Sequence, residues 1–230
     1  MTGINVDRII NIVLTVFIVL VATVLHEMSH AAMANALGDP TAKERGRLTL
    51  NPFAHLDLVG SVILPALMAF AGGPIFAFAK PVPYNPRRLK HPIRDEVLVA
   101  LAGPACNLVQ ALVGTAIFRG MMAWASSSVT ATAANGDVIY IVMQTIATYV
   151  YLNLMLMFFN LIPLPPLDGS AIISPLLRGE ARMWYYRVQQ YAMPVLLAVM
   201  FLVPMMFHVD PVGWYLNHTA LPVASLLLGI

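Results

Sequence analysis

The chain has 230 residues, of which 59% are hydrophobic and only 10% charged, whereas soluble domains run at roughly 45–50% apolar and about 25% charged. That composition excludes an ordinary soluble enzyme, and a net charge of +2 gives no footing for a nucleic-acid partner. The single cysteine, Cys106, excludes an intramolecular disulfide and a four-cysteine metal site.

The length suits about four to six bilayer-spanning helices of about 20 residues each. The first apolar run, 8–37, ends at Gly38-Asp39-Pro40, a helix stop. Met1 to Arg8 lacks the basic region of a secretory signal, so this run is read as a retained helix. Residues 38–57 are polar, and the alternation of Arg47, Leu48, Thr49 and Leu50 before Asn51-Pro52 predicts a short strand in a hairpin. Pro65 and Gly72-Gly73-Pro74 interrupt the apolar stretch 58–79, which predicts a broken or re-entrant segment. A basic, proline-rich loop follows over 80–94. The pattern then predicts helices over about 95–119 and 138–160, separated by a small-residue loop over 120–137. Pro163, Pro165 and Pro166 force the chain out of helical geometry; a further span is expected over 187–207, and 212–230 is a candidate last one weakened by Asn217, His218 and Pro222. The expected fold is an all-α polytopic membrane protein of one domain, 1–230. It has about five transmembrane helices, a re-entrant or broken segment and short membrane-associated β-hairpin elements.

The first run carries His26-Glu27-Met28-Ser29-His30. Histidines four apart on a helix share a face about one turn from each other, so both imidazoles can reach one zinc ion. Glu27, next to the first ligand, can accept the proton of an activated water. At bilayer depth three ionisable side chains are costly unless paired, metal-bound or facing a wet cavity. A polar interhelical cluster or a proton path would satisfy the same residues. Catalytic zinc needs a third protein ligand. The candidates are His55, His91, His208, His218 and the seven aspartates. Asp168 stands out because it follows the proline-broken stretch Asn160-Leu161-Ile162-Pro163-Leu164-Pro165-Pro166-Leu167, where non-helical backbone at membrane depth must be satisfied by protein or by a water-filled cavity such as an active site; an ordinary turn at a membrane boundary is the alternative. Asp57 is the rival.

With these motifs in place the sequence resembles the site-2 protease family of intramembrane zinc metalloproteases. The resemblance rests on His26 to His30, on Asn160 to Gly169, which fits an Asn-x-x-Pro-x-Pro-x-Leu-Asp-Gly pattern, and on Gly103-Pro104-Ala105-Cys106-Asn107, a Gly-x-x-x-Asn element. It looks like the small prokaryotic type, without an added PDZ-like or nucleotide-sensing domain. The resemblance implies Zn2+ held by His26, His30 and Asp168, with Glu27 as general base and acid. It further implies Asn107, and less directly Asn160, as support for the substrate or its developing oxyanion.

The expected activity is hydrolysis of peptide bonds in or near transmembrane segments of other membrane proteins. The alternatives are a metal or proton transporter built on the His/Glu/Asp cluster and an inactive scaffold. The expected partners are a transmembrane substrate and the lipid bilayer, and a homo-oligomer is compatible with the sequence. If 58–79 is re-entrant, every Lys and Arg except Arg8 and Arg119 falls on one side of the membrane. By the positive-inside rule that side is cytoplasmic and bears the active site. The expected location is the cell membrane, as a multi-pass protein.

Overall fold

The structure, a computed structural model, describes residues 6–57, 60, 63, 79–127 and 129–230. Its long elements are α1 (Val6–Ala36), the single turn α2 (Thr41–Glu44), α3 (Pro92–Ser127), α4 (Val129–Asn160), α5 (Asp168–Ile173), α6 (Gly179–Gln189), α7 (Ala192–Phe207) and α8 (Pro211–Leu228). Three of them, α1, α3 and α4, are long and apolar enough to cross a membrane, and the bent pair α6–α7 would make a fourth span. No strand occurs among the described residues.

Two expectations change. The described residues of the loop expected over 120–137 are helical, α3 running on to Ser127 and α4 starting at Val129. This stretch is rich in alanine and has no proline, so nothing in it stops a helix. The hairpin is absent from the described residues around Arg47 to Leu50. There the His55 ring meets the Thr49 carbonyl at 2.8 Å, and the Arg47 guanidinium donates to the carbonyls of Lys80 and Pro81 at 3.5 and 3.4 Å. Side chains thus take the place of a ladder, which Pro81 and Pro83 could not have joined for lack of an N–H. The candidate last span, α8, has 18 residues and is not among the helices apolar enough to cross a membrane, in keeping with the Asn217, His218 and Pro222 that weaken it. The re-entrant segment expected over 58–79 lies outside the described residues apart from Gly60, Ile63 and Ala79.

The chain divides into two compact units, one formed by Met1–Ala22 with Pro104–Ile230 and the other by Thr23–Gly103. In the first, α3, α4 and α8 share a core of Ala111, Phe118, Val150, Leu154, Met157, Ala220, Ala224 and Leu228. Gly114 lets α3 approach α4, since a Cβ there would stand 2.8 Å from Val150. Arg119 donates from Nε and Nη2 to the carbonyls of Leu227 and Leu226 at 2.6 and 3.0 Å. It thereby satisfies carbonyls that the end of α8 leaves open. At the other end of α8, Asp210 accepts from the Gly213 N–H at 2.8 Å and Pro211 takes the first helical position.

The second unit contains the end of α1, α2 and the loops up to the start of α3. Asp39 is fully buried there and ties the loop after α1 to the loop before α3. It accepts from the Thr41 N–H at 3.1 Å, from the Thr41 hydroxyl and from the Asn85 N–H. Burial pushes its pKa up, but these hydrogen bonds and the Arg88 charge outweigh burial and hold it below the ordinary 3.8. A carboxylate lowered on folding stabilises the fold fully above 3.8, and that contribution disappears as pH falls through the lower folded value. Asp39→Asn should therefore lower the thermal midpoint in detergent at pH 7. The deficit should close as unfolding is measured at pH values below the folded pKa.

Candidate metal centre

The motif helix and the start of α3 build the histidine half of the site, within the second unit. His26 and His30 are 5% and 8% exposed, with ring centroids 4.7 Å apart and planes at 82°. Their Nε2 atoms converge to 3.0 Å. Two nitrogens on one tetrahedral zinc, bonded at about 2.0–2.1 Å, stand about 3.3–3.4 Å apart. The His30 Nδ1 lies 2.6 Å from the Val99 carbonyl. A carbonyl only accepts, so the proton sits on Nδ1 and Nε2 is the ring nitrogen that carries the lone pair, the one able to face a cation. Glu27 is half-buried on the same helix.

Gly103 forms the wall of this cradle. A Cβ at this position would lie 2.3 Å from His30 Nε2 and 2.6 Å from His26 Nε2. The two imidazole nitrogens thus occupy the space that any other residue would fill. The donor set, its locked tautomer and its glycine cradle fit zinc. Gly103→Ala should weaken zinc binding by about 10- to 100-fold, the cost of displacing ligands from their orientation. Competition with a chromophoric chelator reads this directly, and unchanged affinity would remove Gly103 from the site.

The remaining residues expected at the site belong to the first unit. Asp168 opens α5 after an extended Leu167; it is half-buried, and its Oδ2 is shut off from solvent. Gly169 presses α5 against the preceding turn, since a Cβ there would come within 2.4 Å of the Leu161 carbonyl. Asn160 ends α4 with its amide donating to the Leu156 carbonyl at 3.0 Å. Asn107 is fully buried and donates to Asn153 Oδ1 at 2.9 Å. The rival Asp57 has a local role, with one oxygen accepting from the Gly60 N–H at 2.8 Å.

The sequence reading named Gly103 as part of the family element without its contact to the histidines, and it missed Val99 and the polar ladder beside Asn107. In that ladder Asn153 donates to the Tyr149 carbonyl at 2.9 Å, and the Tyr149 hydroxyl donates to Gln110 Oε1 at 2.7 Å. The signal was present as helical spacing, Asn107 with Gln110 on α3 and Tyr149 with Asn153 on α4. The family element had drawn notice to Gly103 and Asn107 but not to Gln110, Tyr149 or Asn153.

Comparison with known proteins agrees with this chemistry. The family model described as Peptidase family M50 matches residues 14–203. The Bacillus subtilis protein named "Putative zinc metalloprotease YwhC" is 38% identical over 190 residues, covering 83% of this chain and 80% of its own. The Mycobacterium tuberculosis protein named "Putative zinc metalloprotease Rip2" is 32% identical over 197 residues, covering 85% of this chain and 67% of its own. No solved structure matches.

Proposed function

The chain belongs to peptidase family M50, the site-2 proteases, and on that premise we propose how this membrane metalloendopeptidase does its chemistry. The observation that carries the reading is the convergence of the His26 and His30 Nε2 atoms in a cradle that only glycine leaves open. Asp168 completes the ligand set as the third donor, its half-buried carboxylate presented where prolines unwind the chain.

Zinc, when bound, supplies Lewis acidity for the scissile carbonyl and lowers the pKa of water towards about 7. The chain's own residues do the rest. Glu27 takes the proton of the attacking water and hands it to the departing amine, so one carboxylate serves as base and then acid. The Val99 carbonyl holds His30 in the tautomer that leaves Nε2 for the metal. Asn107, oriented by its bond to Asn153, offers its amide to the substrate or the developing oxyanion, with Asn160 as a secondary contact.

The substrate is a membrane-spanning segment of another protein. It must unwind locally, because a helical peptide bond is covered by its own hydrogen-bonded turn. The enzyme sits in the cell membrane with its active site towards the cytoplasm, the face on which the basic residues gather in the re-entrant topology. Co-reconstitution with a single-span substrate in liposomes tests this reading. Cleavage should fall within the apolar segment, stop on chelation and return with zinc. Metal or proton flux without cleavage would overturn it in favour of a transporter.

A further inference from the structure

The loops after α1 and before α3 carry a cluster of cations inside the second unit. Lys43 and Arg45 flank Glu44 at α2, and Arg87, Arg88 and Lys90 stand just before α3 begins at Pro92. The two loops are pinned together. Asp39 accepts from both, the Lys90 N–H donates to the Leu37 carbonyl at 3.3 Å, and Arg88 pairs with Glu44 at 2.9 Å. Gly38 makes the approach possible, since its φ is +111° and a Cβ there would stand 3.3 Å from the Arg88 carbonyl oxygen and 3.5 Å from the Lys90 side chain. All five cations are exposed, and Glu44 is the one exposed acid among residues 38–57 and 80–94. Because Arg88 takes Glu44, the side chains of Lys43, Arg45, Arg87 and Lys90 are left without an ion pair among the described residues.

Like charges gathered this way repel one another and attract an anion. Which anion follows from where the cluster stands. Both α1 and α3 are long and apolar enough to cross a membrane, so cations that closely follow the one and precede the other lie at the level of the lipid headgroups. Leu50 and Phe53, in the same unit, are 61% and 80% exposed. A bilayer interface takes up such side chains, whereas a soluble acidic partner leaves them in water. We propose that this cluster binds the phosphates of acidic phospholipids in the leaflet around the ends of α1 and α3, with Leu50 and Phe53 reaching the acyl boundary. The arginines offer planar forks to phosphate oxygens, and the lysines offer compact charges.

The test uses the full chain in vesicles of equal phosphatidylcholine and phosphatidylglycerol, extracted in mild detergent and weighed with its retained lipids by native mass spectrometry. The wild-type protein should retain phosphatidylglycerol over phosphatidylcholine by about tenfold or more, since each cation near a membrane surface contributes a factor of about five. High salt during extraction should shrink that preference. Lys43→Gln, Arg45→Gln, Arg87→Gln and Lys90→Gln combined should bring the ratio to about one. These side chains are exposed, so the thermal midpoint in neutral detergent should stay at the wild-type value. Lys43→Arg with Lys90→Arg keeps the charge and should keep the preference. Arg178→Gln with Arg187→Gln removes exposed cations of the first unit and should also keep it. A wild-type ratio in the fourfold variant, or an equal loss in the Arg178 and Arg187 control, overturns the site. Capture of a polyglutamate peptide that phosphatidylglycerol vesicles fail to displace overturns it in favour of an acidic protein segment. None of these readouts uses cleavage, so the active-site reading stands or falls separately.

Discussion

Glu27→Gln protein should retain zinc at the wild-type stoichiometry and cleave about 10²- to 10⁴-fold more slowly. The substitution preserves size and hydrogen-bonding reach but removes the ability to accept a proton. Glu27 follows His26 directly and lies in the same helix as both histidines, so its loss should not disturb their Nε2 contact or the bond from His30 to Val99. Metal analysis of the purified variant separates the two outcomes. Zinc-loaded, folded protein that cleaves at the wild-type rate would eliminate Glu27 as base and acid. Zinc loss together with activity loss would make Glu27 a contributor to metal binding instead.

Removal of the ligands should have the other large effect. His26→Ala, His30→Ala and Asp168→Ala are each expected to lose zinc after mild dialysis and to lose cleavage with it. The weakening should exceed about 100-fold, the upper end of what supporting residues contribute. Asp57→Ala is the control. Its carboxylate is engaged by the Gly60 N–H, so this variant should keep zinc and activity. The His30 variant should suffer twice, since it also gives up the link to the Val99 carbonyl. Retained zinc in Asp168→Ala with loss in Asp57→Ala would reverse the ligand assignment.

Much of this site was legible because it is local. A spacing of four on a helix places two imidazoles on one face whatever the rest of the chain does. Prolines at 163, 165 and 166 end a helix without help from elsewhere. The helical bounds were less legible. The stretch 120–137 reads as a loop from its small residues, yet alanine is the strongest helix former and no proline interrupts it. The hairpin at 47–50 followed from alternation, a pattern that a few side-chain bonds to carbonyls can equally accommodate. Arg47 and His55 make those bonds.

By itself the sequence determined a bilayer protein, a zinc-type His-x-x-x-His face, an adjacent carboxylate and a proline-broken aspartate, all set by composition and near-neighbour spacing. Only the tertiary structure decided which backbone group locks His30, 69 residues away, and which side chain orients Asn107, 46 residues away. It likewise decided why position 103 is glycine. Such contacts depend on the path of the chain through space, and no periodicity within a single helix encodes which distant atom will meet a given face.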